Sequence, residues 1–265
     1  MEEYEKLTKE ELIEKLYKLE NDQKQVEKKT SKRSKKIQKP FDFSNTRARH
    51  VALKVAYQGE KYFGFTGTID DPIATIEKEL FTALIKCKLI PAPDACGFAR
   101  AGRTDKGVSG FGQVISLWVR SNLPKDSPLV LPWDEVKALK PSKEEIPETI
   151  DVNMDEDVKE LSYISTLNRL LPKEIRILAW SPVSKTFDAR YSCKWRKYKY
   201  LFPSKQLDIE KMKQAAALFI GTFDCRFICK LDPDKVDYPD FYTRTIYEAE
   251  IEKVNDDFSV FIVRV

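Results

Sequence analysis

The chain has 265 residues, which suits one large domain or two small ones, and 42% of them are apolar, enough for a hydrophobic core. Its net charge of +4 lies entirely in the first fifth, since residues 1–49 hold 14 Lys and Arg against 10 Asp and Glu. The remaining residues are neutral on average, which excludes a uniformly basic nucleic-acid binder and leaves only a surface on which charge is segregated.

Cysteine and histidine are too few for a disulfide framework or a typical zinc site. There are five Cys with no C-x-x-C pair, and His50 is the only histidine, so "CRFIC" (225–229) is weak evidence for a metal. The acidic N-terminus is unlike a signal or transit peptide, and no apolar run approaches the length of a membrane span. We therefore expect a soluble intracellular protein without metal, cofactor or membrane attachment.

Residues 1–46 are predicted to form an N-terminal amphipathic helix and a basic linker. Thr8 and Glu11 form a capping-box pattern, and the apolar spacing over 8–26 favours a helix of about two heptads. Such a short helix could dimerise or dock on its own domain. The run 28–39 holds seven basic and no acidic residues, typical of a solvated linker, a nuclear address or an RNA-contacting arm.

Residues 47–186 are predicted to form a first half with alternating strands and helices. Strands are expected at 51–59, 113–119 and 175–180, and helices at 73–87 and 161–171. The stretch 125–160 is rich in Pro and acidic residues, which predicts an inserted and mostly disordered loop.

Residues 187–265 are predicted to form a second half. Strands are expected at 195–202, 243–254 and 258–265, the last two joined by the turn "NDD", and a helix at 208–221. The order strand–helix–strand–strand thus occurs twice. It predicts an α+β fold of two ferredoxin/RRM-like halves, with helices packed on a central antiparallel sheet and the C-terminal half incomplete.

The stretch "ARAGRTDKGVSGFGQVISL" (99–117) places Asp105 in a glycine-rich turn between two apolar runs. Asp-Lys-Gly is ordinary turn chemistry, so a plain hairpin explains it. Chemistry is the other interpretation, because an aspartate is ionised at neutral pH and can act as nucleophile or base without a partner. No second carboxylate stands in a comparable setting, which argues against glycoside hydrolysis.

Several segments together resemble the TruA-type tRNA pseudouridine synthase family. "GRTDKGVSGFGQVISL" is similar to its GRTDxGV motif, and "VALKVAYQGEKYFGF", "LNRLLPKEIRI" and "FDARYSCKWRKYKYLF" are similar to three further segments in the same order. The resemblance runs from about residue 48 to 265. It is closest to the eukaryotic branch that modifies uridines 38 and 39 in the tRNA anticodon arm.

The resemblance implies an isomerase that converts uridine to pseudouridine, with Asp105 as the catalytic carboxylate. It implies that Arg103 stabilises the flipped-out uridine and that the Tyr198 ring stacks on the uracil. Cationic residues are expected to contact the RNA backbone, namely Lys106, Arg190, Arg196, Lys197 and Lys199. The implied partners are tRNA and a second copy of the chain, in the nucleus and cytoplasm, with no cofactor.

One family segment, of the type Phe-Leu-x-His-Gln-Val-Arg, is missing after "FSVFIVRV", and its Arg would pair with the catalytic Asp. Arg264 lies too early in the strand to replace it. We therefore expect weak or absent activity from these 265 residues alone. Two other interpretations stay open, a non-catalytic RNA-binding protein and an interaction protein that dimerises through its N-terminal helix.

Overall fold

The apolar residues after position 46 form a long central strand, β1 (Arg47–Tyr57). This strand lies in the largest of the three sheets that the described residues form. It pairs antiparallel with β3 (Gly110–Ser121) on one side and β5 (Ile175–Pro182) on the other. β2 (Ala99–Arg100) extends the sheet beyond β3, and β4 (Val130–Leu131) pairs with the start of β1. The strand order is therefore β2-β3-β1-β5. The structure is a computed structural model, and it describes residues 41–139, 160–235 and 238–265.

Two helices supply apolar side chains to the main core with this sheet. They are α1 (Ile76–Lys86) and α3 (Tyr163–Leu170), and Leu80, Leu84 and Leu167 are almost fully buried. The predicted start of the first helix at residue 73 is wrong. Thr75 is the N-cap, its hydroxyl accepting a hydrogen bond from the Lys78 N–H at 3.3 Å, so the helix begins three residues later.

The predicted disorder of 125–160 is wrong for residues 125–139, which contain β4 and the helix α2 (Trp133–Ala138). Trp133 Nε1 donates to the Thr46 hydroxyl at 3.0 Å, and Val136 is buried against Ala48. The cause is that the apolar residues of this stretch cover the start of β1. Residues 140–159 lie outside the described part of the chain.

The second half contains a three-stranded antiparallel sheet of order β6-β10-β9, made by β6 (Lys197–Pro203), β9 (Glu248–Lys253) and β10 (Phe258–Arg264). β9 and β10 are joined by the predicted "NDD" turn, which confirms that hairpin. Helix α4 (Ile209–Ala217) packs on this sheet, with a smaller core around Phe202 and Ile251.

Two boundaries in this half differ from the predictions. The predicted strand 243–254 is split at Tyr247 into β8 (Thr243–Ile246), which pairs with β7 (Gly221–Asp224), and β9, which pairs with β10. The helix predicted over 208–221 ends at Ala217, because the next three N–H groups bond three residues back instead of four. Asp208 caps its start, as the sequence indicates.

The remaining helices are short. They are α5 (Pro239–Tyr242) and two 3₁₀ turns at Pro93–Ala95 and Pro233–Lys235. The predicted helix 8–26 and basic linker 28–39 lie outside the described residues. A mixed fold of helices and antiparallel sheets is confirmed, whereas the division into two ferredoxin-like halves stays a prediction. In the described parts of the chain, no helix is long and apolar enough to cross a membrane.

Candidate active site

The loop between β2 and β3 carries Asp105 and is fastened to the loop after β1. The Thr104 carbonyl accepts a hydrogen bond from the Phe65 N–H at 3.0 Å. The side-chain hydroxyl of Thr104 lies 2.9 Å from the Tyr57 hydroxyl. The Gly107 N–H donates to the Tyr62 carbonyl at 3.1 Å. The backbone is therefore fixed immediately before Asp105 and two residues after it.

Two glycines allow the loops to approach so closely. A Cβ on Gly59 would stand 2.0 Å from the Val108 carbonyl oxygen, and a Cβ on Gly64 would stand 2.9 Å from the Thr104 oxygen. Gly64 also has φ of +106°, which side-chain-bearing residues rarely adopt. The turn "YQGEKYFGF" thus needs glycine to hold the Asp105 loop.

Gly59→Ala is expected to lower the free energy of unfolding by about 1–3 kcal/mol, because the new methyl overlaps backbone on the Asp105 loop. Gly112→Ala is the matched control, since its Cβ would meet only the flexible side chain of Lys54. Urea denaturation compares the two variants. Equal midpoints for both would show that the loop contact is not tight.

The Asp105 side chain is exposed. Among the residues that the structure describes, none donates a hydrogen bond or forms an ion pair with its carboxylate, although Arg103 is only two positions away. This carboxylate is open to a ligand while its backbone is held. A simple hairpin turn would not require such fastening to a second loop.

Four of the predicted site residues meet in one cleft of about 560 Å³, between the larger sheet and β6. They are Arg103, Arg190, Arg196 and Tyr198. Asp105 and Lys106 are not among the lining residues. The Lys106 ammonium instead lies 4.2 Å from the centroid of the Phe63 ring.

Arg196 joins the two sides of this cleft. Its guanidinium donates two hydrogen bonds to the Ala101 carbonyl, one of them at 2.9 Å through Nε. Its backbone exchanges hydrogen bonds with Val265 at 2.7 and 2.9 Å. Arg196 is therefore a fixed cation, and part of its bonding capacity is already used inside the protein.

The side chains of Arg190 and Tyr198 are exposed to solvent. Asp188 Oδ1 accepts the Arg190 N–H at 2.7 Å and the Tyr191 N–H at 3.2 Å, which fixes the turn, and the Arg190 guanidinium lies 5.6 Å from the Tyr191 ring. Tyr198 is 52% exposed on β6, opposite Val263. The ring can therefore accept a stacking partner.

Among the cleft residues that sequence reasoning missed, three have polar side chains, namely Arg100, Asp188 and Tyr191. Arg100 Nε lies 2.7 Å from Oε1 of the buried Glu77, whose other oxygen accepts the Gly67 N–H at 3.0 Å. Burial raises the pKa of the Glu77 carboxyl, although the Arg100 charge opposes the shift. The sequence held a partial signal for Asp188 in "FDARYS", but Glu77 is indistinguishable there from any acidic residue in a first helical turn.

Neither the histidine nor the cysteines form a metal centre in the described residues, where no cluster of three or more His, Cys, Asp and Glu is found. His50 is a core residue, stacked on Trp118 at 4.8 Å with Nδ1 2.7 Å from the Ser184 carbonyl oxygen. Burial lowers the pKa of His50.

Arg264, the only arginine near the end of β10, is engaged within the second half. Its Nε lies 3.4 Å from Glu248, and its guanidinium carbon lies 5.7 Å from the Trp195 ring centroid.

Comparison with known proteins gives named relatives, although no protein-family model matches the chain. It is 43% identical over 199 residues to a mouse tRNA pseudouridine(38/39) synthase, a match that covers 75% of this chain and 38% of the relative. The Saccharomyces cerevisiae protein of the same name is 39% identical over 236 residues, 88% of this chain and 48% of the relative. The tRNA pseudouridine synthase A of Methanothermobacter thermautotrophicus is 31% identical over 214 residues, 80% of this chain and 60% of the relative.

The chain thus spans less than half the length of these two eukaryotic relatives. The matched regions are nevertheless long, and eukaryotic and archaeal relatives both carry names of one enzyme class. Most of the chain is therefore similar to proteins named tRNA pseudouridine(38/39) synthase, and, at lower identity, to archaeal relatives of the TruA type.

Proposed function

We propose that the protein isomerises uridine to pseudouridine in tRNA, at positions 38 and 39 of the anticodon stem-loop, with Asp105 as nucleophile or base. One observation carries this proposal. An exposed carboxylate stands on a loop that is fixed on both sides, two residues after an arginine that lines a cationic and aromatic cleft. The relatives named tRNA pseudouridine(38/39) synthase support the choice of substrate.

The reaction breaks the bond between N1 of uracil and C1′ of the ribose, turns the base and rejoins it through C5. The C5 proton is lost and N1 gains one, so substrate and product are isomers and no redox step is needed. A carboxylate beside the ribose could attack C1′, attack the base or remove a sugar proton. The open Asp105 carboxylate suits each of these roles.

The target base must leave its stack before the reaction, which costs a few kcal/mol. We propose that Arg103 occupies the vacated space and that the base stacks on Tyr198. Arg190 and the fixed Arg196 would attract the flanking phosphates, because phosphate contacts supply most RNA affinity. Lys106, held over Phe63, would contact the backbone outside the cleft.

Mapping of pseudouridine in tRNA tests the proposal. The protein is incubated in excess over unmodified tRNA, so that slow conversion is counted, and carbodiimide labelling is followed by primer extension. We expect new stops at positions 38 and 39, at a low yield. Stops only at other uridines would overturn the proposed positions, and no stop at any uridine would favour the non-catalytic RNA-binding interpretation for these 265 residues.

Tyr198→Ala is expected to weaken binding of the flipped uridine by about 1–3 kcal/mol, the usual contribution of base–aromatic stacking. Tyr200→Ala is the matched control, because Tyr200 is also an exposed tyrosine of β6 but does not line the cleft. The effect is measured as the single-turnover rate, with the protein in excess over the tRNA but at a concentration below Kd. An equal loss for both variants would argue against stacking on Tyr198.

Three narrower proposals remain. The division into two ferredoxin-like halves is supported, for the first half, by the order β2-β3-β1-β5 with helices α1 and α3. A homodimer is supported by the helical pattern of 8–26, and a nuclear as well as cytoplasmic location by the basic run 28–39.

A further inference from the structure

A second cleft, of about 360 Å³, shares a wall with the first. Arg196 and Tyr198 line both, so the two clefts meet at these two side chains. The other residues that line the second cleft are Lys194 before β6, three residues of β8 and the residue that follows it, and the residue after β10 (Thr243, Arg244, Thr245, Tyr247 and Val265).

The charge of this second cleft is not neutralised from within. No Asp or Glu side chain lines it, and Lys194 and Arg244 form no ion pair with a carboxylate in the described parts of the chain. Other cations nearby differ, since Glu248 accepts from Lys197 at 2.6 Å and lies 3.4 Å from Arg264. Lys194 and Arg244 therefore remain available to an anion.

The geometry also holds Arg244 in place. Its Nη1 donates to the Thr243 carbonyl at 2.7 Å, and its guanidinium carbon lies 6.0 Å from the Phe241 ring centroid. The Thr245 hydroxyl, at the wall of the cleft, lies 2.8 Å from the Thr222 hydroxyl. Arginine, lysine and threonine are the side chains that commonly bind phosphate oxygens of nucleic acids.

We propose that the second cleft is a phosphate subsite, in which Lys194 and Arg244 bind the phosphodiester next to the nucleotide held by the first cleft. This inference rests on the proposed function for the identity of the RNA. The positive charge, the absence of a lining Asp or Glu side chain and the wall shared with the first cleft favour a phosphodiester of single-stranded RNA, next to the extruded base.

The test is RNA binding by the variant Lys194→Ala/Arg244→Ala, with an unmodified anticodon stem-loop as the probe. We expect affinity to fall at least about tenfold, as for lost bonds to a charged group. The plot of log affinity against log salt concentration should become less steep by about 0.7, the contribution of one phosphate contact in a single strand. The charge-conserving Arg244→Lys variant should retain the slope, and circular dichroism checks that each variant is folded.

The position of the bound phosphate is tested by replacing single phosphodiester linkages in the loop of the RNA probe with neutral methylphosphonate. In the wild-type protein one linkage flanking the target uridine should cost about tenfold in affinity, and in the double variant the same replacement should cost less than about twofold. The matched control is Arg169→Ala/Lys173→Ala, which removes two exposed cations elsewhere. An equal effect of the control, or an undiminished methylphosphonate effect in the double variant, overturns the subsite.

The two proposals can fail separately. If the protein forms pseudouridine but the double variant keeps the full methylphosphonate effect, the subsite is wrong and the isomerase proposal stands. If no pseudouridine forms but the phosphate dependence follows Lys194 and Arg244, the subsite stands without the isomerase. An RNA that does not bind at all overturns both.

Discussion

Asp105→Asn is expected to reduce pseudouridine formation by about 10³-fold or more, while the affinity for tRNA stays close to that of the wild type. The amide has nearly the same size as the carboxylate but can neither attack nor accept a proton as a base. The fold should not change, because the side chain is exposed and the loop is held through Thr104 and Gly107.

Asp126→Asn is the matched control, since Asp126 is also an exposed aspartate in the same half. Single-turnover conversion and filter binding measure rate and affinity on the same preparations. Unchanged conversion by Asp105→Asn would favour the non-catalytic RNA-binding interpretation. A parallel loss of affinity and rate would mean that the carboxylate acts in binding or folding instead of chemistry.

Glu160→Ala is expected to lower the free energy of unfolding by about 3–5 kcal/mol, because it removes one partner of a buried ion pair. Glu160 Oε2 lies 3.2 Å from Nη1 of Arg49 and accepts from the Ser121 hydroxyl at 2.6 Å. Its Oε1 accepts from the N–H groups of Asn122 and Leu161 at 2.9 and 2.8 Å. One carboxylate thus connects β1, the end of β3 and the start of α3.

The same cluster makes stability depend on pH. Burial alone would raise the pKa of Glu160, but hydrogen bonds from Ser121, Asn122, Leu161 and Arg49 outweigh it and hold the pKa below its ordinary value of 4.5. The stabilisation is therefore present above about pH 4.5 and is lost as the pH falls through the lower pKa of the folded state.

Urea denaturation at neutral and acidic pH checks both statements. The exposed Glu252→Ala variant serves as the control and should stay within about 0.5 kcal/mol of the wild type. For Glu160→Ala the loss should be largest at neutral pH and shrink on acidification, since the wild type then loses the same interactions. A loss at neutral pH no larger than that of the control would contradict the stabilising role of Glu160.

Local patterns predicted the elements that depend on local physics. The β-rich apolar run "VALKVAYQG" predicted β1, the apolar face of 73–87 predicted α1, and Asp208 predicted the start of α4. The predictions were wrong where contacts between residues far apart in the sequence determine the structure. The start of the 125–160 stretch is ordered because Trp133 and Val136 cover β1, and nothing within that stretch reveals the strand they meet.

The candidate site shows the same division. The glycine-rich loop indicated Asp105 and Arg103 as site residues, and the alternating strand indicated Arg196 and Tyr198. Sequence could not indicate that Arg196 donates to the Ala101 carbonyl, 95 residues earlier, or that Glu77 holds Arg100 at the cleft. Those pairs follow from the packing of separate elements, which a linear pattern does not contain.

The central claim is that the Asp105 carboxylate drives rejoining of uracil through C5, and loss of the C5 hydrogen reports it most directly. The measurement is tritium release from tRNA that carries uridine labelled at C5, with the protein in excess. We predict release from the uridines at positions 38 and 39 with the wild type and none above background with Asp105→Asn. Equal release by both proteins, or no release by the wild type from tRNA that it binds, would contradict the claim.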